Sequence, residues 1–235
     1  MNRKIKFAVG DYYHIYIRGN NRQKVFLDER DYLRYLLLLY TSNSVGTIHL
    51  SDYQTNNLGA LFSLKREEPL VAIGAYCQMP NHIHLLVREI REGGISLFMQ
   101  KLSTAYSMYF NIKHSKTGSL FERPFKAKHI AEDVYLKYLF AYIHLNPVKI
   151  NDPDGWAGKR LLHSDTAKQF LEYYRYSSYP FYTGRQRMED GVLNRSEFPD
   201  YFSEKGDFGL FVDDWINLDQ EAVSLDQSAA VKVTP

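Results

Sequence analysis

The sequence predicts an α+β fold with one antiparallel sheet and helices on one face of it. Segments that alternate apolar and polar residues indicate strands, and segments with apolar residues every three or four positions indicate helices. Along the chain these segments follow the order β-α-β-β-α-β-α. This order is typical of the ferredoxin-like arrangement, and further residues follow it as a C-terminal extension.

The first part of the chain supplies a strand, a helix and an insertion. Residues 12–18 alternate and are rich in Tyr and Ile, which predicts the first strand. Either Asp28 or Asp31 is suited to cap the helix that follows. Residues 41–69 are polar and irregular, so we expect an insertion there, with a hairpin around residues 56–59.

The middle of the chain predicts a strand hairpin followed by alternating helices and strands. A Met-Pro-Asn turn separates the two hairpin strands, and Pro147 ends the later helix because proline cannot continue it. The predicted strands cover 71–76, 82–88 and 125–130, and the predicted helices cover 96–113, 132–145 and 164–175.

Charge divides the chain into a basic body and an acidic tail. Residues 1–185 contain 25 Lys and Arg against 16 Asp and Glu, a balance of +9, and residues 186–235 contain 4 against 11, a balance of −7. The body and the 19 tyrosines of the chain favour nucleic-acid binding, because Lys and Arg neutralise phosphates and tyrosine stacks on bases. We expect the acidic tail to be partly disordered, since its pattern is weak.

Cysteine content and hydropathy indicate the compartment. Cys77 is the single cysteine, which excludes an internal disulfide and fits a reducing environment. No apolar run reaches transmembrane length, and the first residues lack the apolar core of a signal peptide. We therefore expect a soluble cytoplasmic protein without a membrane partner.

Two histidines occupy alternate positions of the strand predicted over 82–88. Side chains of a strand alternate between faces, so His82 and His84 point one way and Ile83 points into the opposite layer. Two imidazoles on one face can share one metal ion. The alternative is a strand that carries two histidines on its solvent face.

The helix predicted over 132–145 carries a second group of polar candidates. Tyr138, Tyr142 and Asn146 are spaced by four residues and share one helical face. For Tyr138 we favour packing on the sheet. Tyr142 differs because Asn146, a residue type that can bind metal, lies one turn further on. A tyrosine hydroxyl near a metal-bound phosphate can act as a nucleophile.

These residues form part of a longer series of motifs. The chain resembles the HUH single-tyrosine transposases, and most closely the REP-associated tyrosine transposases. The matching segments occur in the order of that family over roughly residues 12–185. They are Arg18–Gln23, Cys77–Val87, Gly118–Phe121, Phe125–Ala127, Tyr142–Val148 and Tyr176–Tyr179.

The resemblance implies an organisation and an activity. Residues 1–150 would form the HUH catalytic domain, with 41–69 as its insertion, and residues 151–185 would continue the transposase-like region. Residues 186–235 would be the acidic tail. The implied enzyme cuts and rejoins single-stranded DNA that carries a hairpin, and the resemblance favours a monomer while leaving a dimer open.

The resemblance also implies roles for individual residues. Tyr142 would be the catalytic nucleophile, which forms a 5′-phosphotyrosine link and frees a 3′-hydroxyl. His82, His84 and Asn146 would be the metal ligands. The implied ion is Mg²⁺ or Mn²⁺, and Mn²⁺ is an alternative because two imidazoles are softer donors than Mg²⁺ usually takes.

Basic and amide residues near these motifs are candidates for DNA binding. One group ends the first strand, and the other leads along a later strand into the catalytic helix, so both would flank the cut. Solvated surface charges are the alternative reading of the same residues. The candidates are Arg18, Asn20, Asn21, Arg22, Arg123, Lys126 and Lys128.

Two other functions remain open from the sequence. The first is a hairpin-binding protein derived from such an enzyme that no longer cuts DNA. The second is a metal-dependent phosphodiesterase that activates water, although the remaining histidines form no further metal-binding pattern. Among them we expect a surface or capping role for His144 and no function for His129, which could face the catalytic side of its strand.

Overall fold

Four strands form the single sheet of the computed structural model, which describes residues 5–53, 58–151, 164–202, 204 and 206–217. The strands are β1 (Tyr12–Arg18), β2 (Val71–Met79), β3 (His82–Glu89) and β4 (Lys126–Ile130). They lie in the order β2-β3-β1-β4, and each neighbouring pair is antiparallel. This is the ferredoxin-like order, so the predicted fold class is confirmed.

Helices lie close to where the sequence predicts them. Asp28 caps the first one, because its carboxylate accepts a hydrogen bond of 3.1 Å from the backbone N–H of Asp31. The helices are α1 (Glu29–Thr41), α2 (Leu58–Leu61), α3 (Gly94–Lys113), α4 (Asp133–Leu145), α5 (Val148–Asn151), α6 (Ser164–Tyr173), α7 (Tyr179–Tyr182) and α8 (Asp207–Asn217). In the described part of the chain, no helix has both the length and the apolar character that a membrane span requires.

The first face of the sheet carries α1 and α3. Ile15 of β1 and Ile83 of β3 are fully buried there, and Phe98 and Leu102 of α3 belong to the same apolar cluster. Unfolding would expose the apolar surface of each of these residues to water, which is unfavourable. This layer is therefore a main source of the stability of the fold. The first face therefore carries only some of the predicted helices, and the expectation that all helices lie on one face is wrong because α4 packs on the other.

The second face of the sheet is covered by α4 and by the C-terminal elements. Leu86 of β3 points to this side, where it joins Leu139 and Ile143 of α4 in a second apolar cluster. Phe208 and Val212 of α8 belong to the same cluster and are 1% and 0% exposed. The sequence analysis did not anticipate this second layer, and α4 is the helix that brings the predicted nucleophile to the sheet.

Two segments differ from their predictions. Part of the region assigned to the acidic tail, residues 188–202 and 206–217, is folded onto the sheet and its helices. Val192 of the first 3-10 turn joins the apolar cluster of the first face, whereas Phe198 and α8 pack on the second face. Residues 218–235 lie outside the described residues. A hairpin was expected around residues 56–59, but Leu58 and Gly59 begin the helix α2 instead. Residues 54–57 lie outside the described residues.

Candidate active site

A two-residue turn places the predicted pair of histidines at the start of β3. Pro80 and Asn81 connect β2 to β3, and the strand begins at His82. His82 and His84 point toward α4, whereas Ile83 is buried in the layer beneath α3. The ring centroids of the two histidines are 4.9 Å apart, with their planes at 84°. The prediction that both imidazoles share one face is confirmed.

Asn81 determines which nitrogen of His82 carries the proton. Nδ2 of Asn81 donates to the backbone carbonyl of Arg22 at 3.3 Å, and Oδ1 of Asn81 lies 2.6 Å from Nδ1 of His82. An amide oxygen can only accept, so Nδ1 of His82 is the donor. The lone pair of this imidazole is therefore on Nε2, where it is available to a ligand.

A third histidine, His14 of β1, lies against His84. Nε2 of His14 is 2.9 Å from Nδ1 of His84, and their ring planes differ by 20°. The two residues are 7% and 6% exposed, so water has little access to their contact. The structure thus adds a buried imidazole to the pair that the sequence analysis selected.

The surroundings keep these three imidazoles neutral. Burial, with a smaller contribution from the ammonium of Lys128, lowers the pKa of His14 to about 3. Burial and two nearby cationic side chains lower the pKa of His82 to about 4. The pKa of His84 is lowered by burial first and then by the neighbouring histidines. Neutral imidazole is the form that binds a metal ion.

Helix α4 carries Tyr142 to the same place. Its ring centroid is 5.7 Å from that of His84 and 5.8 Å from that of His14, with the planes nearly perpendicular. Burial is the largest influence on this phenol and raises its pKa, while a hydrogen bond from Asn146 and the charge of Arg18 act in the opposite direction. Tyr142 is therefore a neutral phenol at pH 7 and needs its anion stabilised before it can attack.

Asn146 is held by two hydrogen bonds at the end of α4. Its Nδ2 donates to the backbone carbonyl of Tyr142 at 2.7 Å, and its Oδ1 accepts from Nζ of Lys149 at 2.9 Å. Burial lowers the pKa of Lys149 to about 8, and its Nζ lies 5.3 Å from the ring centroid of Tyr142. The carbonyl oxygen expected to bind a metal thus faces an ammonium group, although its second lone pair can still accept.

Basic residues predicted to bind DNA surround one end of this group. Arg18 pairs with His82 across β1 and β3, and its buried Nε has no hydrogen-bond partner among the described residues. Lys126 and Lys128 pair with Tyr16 and His14, so they share the face that carries the imidazoles. These side chains form a basic rim beside the candidate site.

The other predicted DNA-binding residues lie in two loops next to that rim. Asn20, Asn21 and Arg22 form an exposed 3-10 turn, in which Asn21 and Arg22 have φ values of 52° and 58°. Arg123 is exposed on a segment that a backbone hydrogen bond of 2.8 Å, from Glu122 to Arg18, ties to the end of β1. All seven predicted residues therefore lie on or near the end of β1 and along β4.

Comparison with known proteins identifies the family. The profile of the IS200-like transposases matches residues 9–146, which include both site histidines, Tyr142 and Asn146. The chain belongs to the IS200-like transposase family. This confirms the resemblance drawn from the sequence motifs.

Comparisons with solved and with curated proteins give two further results. A solved structure of a REP-associated tyrosine transposase bound to a REP hairpin matches with a TM-score of 0.45 at 13% sequence identity, over 80% of this chain and 90% of that one. Among curated proteins no match was found.

The candidate site offers a divalent ion two neutral imidazoles and one amide oxygen. In the part of the chain that the structure describes, no three His, Cys, Asp or Glu residues form a cluster able to hold a metal. An ion would therefore rely on His82 and His84, with the second lone pair of the Asn146 oxygen. Two neutral imidazoles and one amide oxygen form a borderline donor set, which suits Mn²⁺ better than Mg²⁺.

Two histidines of this family member differ from the sequence analysis. His144 is fully buried rather than at the surface, and its Nδ1 and Nε2 lie 2.7 Å from the carbonyl of Phe140 and 2.6 Å from Oγ of Ser178. His129 lies on the face away from the site, where it contacts Tyr13 and pairs with Asp11 at 2.8 Å. Neither residue takes part in the candidate active site.

Two residues of the site were missed in the sequence. His14 has the same strand parity as Tyr16 and Arg18, so alternation alone places it on the face of the predicted DNA contacts. Lys149 follows Asn146 by three residues, a spacing that brings the two side chains together in a helical turn. Both signals were present, but His14 could be placed only with the strand order, and Lys149 only with the short helix α5 that follows Pro147.

Proposed function

We propose that this IS200-like transposase cuts and rejoins single-stranded DNA beside a hairpin, with Tyr142 as the nucleophile. The supporting observation is that one chain brings the phenol of Tyr142 to the imidazoles of His82 and His84, with ring centroids 5.7 Å apart at His84. A phenol beside neutral imidazoles that can bind a metal is suited to phosphodiester cleavage by tyrosine, because a bound metal would polarise the phosphoryl group under attack. The sequence motifs that resemble REP-associated transposases support the hairpin as the substrate.

The reaction is a transesterification at phosphorus. Oη of Tyr142 forms a bond to the scissile phosphorus, and the bond from phosphorus to the 3′-oxygen breaks. The phenol loses its proton and the 3′-oxygen gains one, so the products are a 5′-phosphotyrosine and a free 3′-hydroxyl. One phosphoester bond replaces another, and the reverse attack by a 3′-hydroxyl rejoins DNA without ATP.

Each side chain of the site has a different role in this step. His82, His84 and Asn146 would hold Mg²⁺ or Mn²⁺, and a divalent ion there would polarise the phosphoryl oxygens. Arg18 stabilises negative charge on Tyr142, since its guanidinium lowers the pKa that burial raises. Asn146 orients the end of α4 through its hydrogen bond to the carbonyl of Tyr142.

The basic rim and the adjacent loops are suited to hold the DNA strand. Arg18, Lys126 and Lys128 would contact phosphates, because their charges lie on the face of the site. The exposed turn over Asn20–Arg22 and Arg123 would contact unpaired bases or phosphates further along the strand. A hairpin with a single-stranded foot supplies both kinds of contact.

We favour a monomer as the active form, working in the cytoplasm where DNA is accessible. Support comes from the site itself, because the imidazoles and the tyrosine belong to the same chain. A dimer that exchanges α4 would need this contact to form between two copies instead.

The experiment is a denaturing gel of the full chain with labelled hairpin DNAs from its own genomic neighbourhood, with Mn²⁺ or Mg²⁺. We expect a metal-dependent band of DNA attached to the protein, and we expect Tyr142→Phe to abolish it. Tyr138→Phe is the matched control, since Tyr138 lies one turn earlier on the same helix and packs against Trp215. That variant should keep the band.

Other results would replace this function with a different one. Cleavage without an attached product would indicate a phosphodiesterase that activates water. Hairpin binding that leaves the DNA intact and unattached would indicate a DNA-binding protein that has lost its chemistry. An attached product that survives Tyr142→Phe would assign the nucleophile to another residue.

A further inference from the structure

The contact between His14 and His84 has two arrangements of its shared proton. Nε2 of His14 and Nδ1 of His84 are 2.9 Å apart, so one of them donates and the other accepts. If His14 donates, the remaining proton of neutral His84 lies on Nε2, which then cannot bind a cation. If His84 donates from Nδ1, its Nε2 presents a lone pair.

The neighbouring histidine indicates which arrangement suits the site. Nδ1 of His82 must donate to Asn81, so the lone pair of His82 lies on Nε2. His82 and His84 leave the same face of β3, with ring centroids 4.9 Å apart. They act as a pair of ligands only when His84 has the same tautomer as His82.

We propose that His14 is a positioning residue, whose Nε2 accepts a hydrogen bond from Nδ1 of His84 and so directs the Nε2 lone pair of His84 toward a divalent cation. This inference rests on the metal site of the proposed function. Histidine ligands generally donate their second N–H to a partner that fixes the ring and its tautomer. In this chain a buried imidazole takes the place of the usual carboxylate or carbonyl.

Burial makes this partner necessary. His14 and His84 are 7% and 6% exposed, so water has little access as a substitute acceptor for Nδ1 of His84. The position of His14 in the middle of β1, paired on both sides with neighbouring strands, also fixes the ring that accepts. Asn81 holds His82 from the turn, and His14 holds His84 from the sheet.

The tautomer can be measured directly on the metal-free full chain with nitrogen-15-labelled histidine. A two-bond nitrogen–proton NMR correlation distinguishes Nδ1–H from Nε2–H for each ring. We expect His84 to be the Nδ1–H tautomer in the wild type and to lose that state in His14→Leu. His84 protonated on Nε2 in the wild type would overturn the proposal.

Mn²⁺ affinity gives a second readout, independent of DNA and of activity. Titration of the full chain with Mn²⁺ alone, followed by electron paramagnetic resonance, should show affinity falling by about 10–100-fold in His14→Leu. His14→Gln keeps an acceptor near the position of Nε2 and should restore most of the affinity. His129→Gln, which removes a histidine on the opposite face, should bind Mn²⁺ like the wild type.

Each remaining outcome of the titration bears on the proposal. It is overturned if the wild type binds no Mn²⁺, or if folded His14→Leu binds it as the wild type does. If His14→Leu fails to fold, His14→Gln decides, because an affinity as low as that of His82→Ala would contradict the proposal. DNA attachment to Tyr142 without Mn²⁺ binding would overturn this inference together with the metal ligands of the proposed function, but would leave Tyr142 as the nucleophile. Normal Mn²⁺ binding without DNA attachment would overturn the proposed DNA cleavage and leave this inference standing.

Discussion

Lys149 is a cationic residue at the centre of the candidate site. Its ammonium donates to Oδ1 of Asn146 at 2.9 Å and lies over the ring of Tyr142, and its charge contributes to lowering the pKa of His82. The same charge that disfavours a proton on an imidazole also disfavours a metal ion beside it. Phosphate carries the opposite charge and should be attracted. Lys149 therefore acts in opposite directions on the two groups that meet in the site.

We predict that Lys149→Met separates these effects. Removing the charge should tighten Mn²⁺ binding by roughly tenfold, about 1.4 kcal/mol, because the repulsion between two nearby cations is lost. Formation of the protein–DNA adduct should slow at the same time, since a phosphate contact and the partner of Asn146 are lost. Mn²⁺ titration and single-turnover gels measure the two quantities separately.

Lys137→Met is the control for the loss of a lysine from this part of the chain. Lys137 lies on α4, where its ammonium is near the rings of Tyr201 and Phe211 and away from the imidazoles. It should change neither quantity. Weaker Mn²⁺ binding in Lys149→Met would contradict the electrostatic account and would indicate that Lys149 mainly holds Asn146 in a metal-binding orientation.

At the scale of elements, a buried carboxylate joins the start of α1 to the end of α3. Asp31 is 0% exposed and accepts hydrogen bonds from the backbone N–H of Leu27 at 2.8 Å and from Nζ of Lys113 at 2.7 Å. Nε2 of His114 lies 3.0 Å from Oδ2 of Asp31, the oxygen that also accepts from Leu27. Burial alone would raise the pKa of Asp31, but these partners outweigh burial and lower it below its ordinary value of 3.8.

We predict that Asp31→Asn destabilises the fold by about 3 kcal/mol, because it removes a buried carboxylate that is the counter-charge of the half-buried Lys113 ammonium. The lowered pKa also predicts the pH dependence. A carboxyl with a lower pKa in the folded state contributes its full stability above the unfolded pKa and loses it as the pH falls through the folded pKa. Wild-type stability should therefore decline below about pH 4.

Urea unfolding between pH 7 and pH 3 measures both effects. The difference between the wild type and Asp31→Asn should shrink toward acid pH, since protonation of Asp31 removes the same charge. Asp28→Asn is the comparison, because Asp28 also pairs with Lys113 but is exposed, so its loss should cost less than about 1 kcal/mol. A constant difference at all pH values would contradict this role of Asp31.

The elements with a strong local pattern could be predicted from the sequence. Alternation over Tyr12–Arg18 defines β1 to the residue, and the spacing of polar and apolar residues defines α4 to within one residue. The faces of His82 and Ile83 followed from strand parity alone. These features depend only on residues that are close together in the chain.

Features that depend on distant residues could not be predicted in the same way. His144 was expected at the surface because its helix alone gave no sign that Ser178, 34 residues later, would cover it. His14 contacts His84 only because β1 pairs with β3. The order of elements along the chain does not reveal the register of that pairing. Residues 188–192 and 195–197 form 3-10 turns that are too short to show a period.

At the scale of the whole molecule, the sheet separates two layers of helices that have different roles. The layer with α1 and α3 is apolar and is held by the Asp31 junction, whereas the layer with α4 carries the candidate site. The C-terminal residues complete the second layer, since Phe208 of α8 packs on His144 of α4 with ring centroids 5.1 Å apart. We infer that the structural unit which supports Tyr142 extends beyond the family match at residues 9–146 and includes α8.

The substitution Phe208→Ala tests this extension. Phe208 is 1% exposed and contacts Tyr182 and Phe202, with ring centroids 4.9 Å and 5.0 Å away, so its loss leaves a cavity behind α4. We expect a loss of stability of about 3–5 kcal/mol and a lower yield of adduct at temperatures near the thermal unfolding midpoint of the variant.

Leu210→Ala on the same helix is the control, because Leu210 is 68% exposed and its replacement should change the free energy of unfolding by no more than about 0.5 kcal/mol. Equal, small effects of both substitutions would mean that α8 is not part of the unit that holds α4. A large effect confined to Phe208 would mean that residues assigned to an acidic tail stabilise the helix that carries the nucleophile.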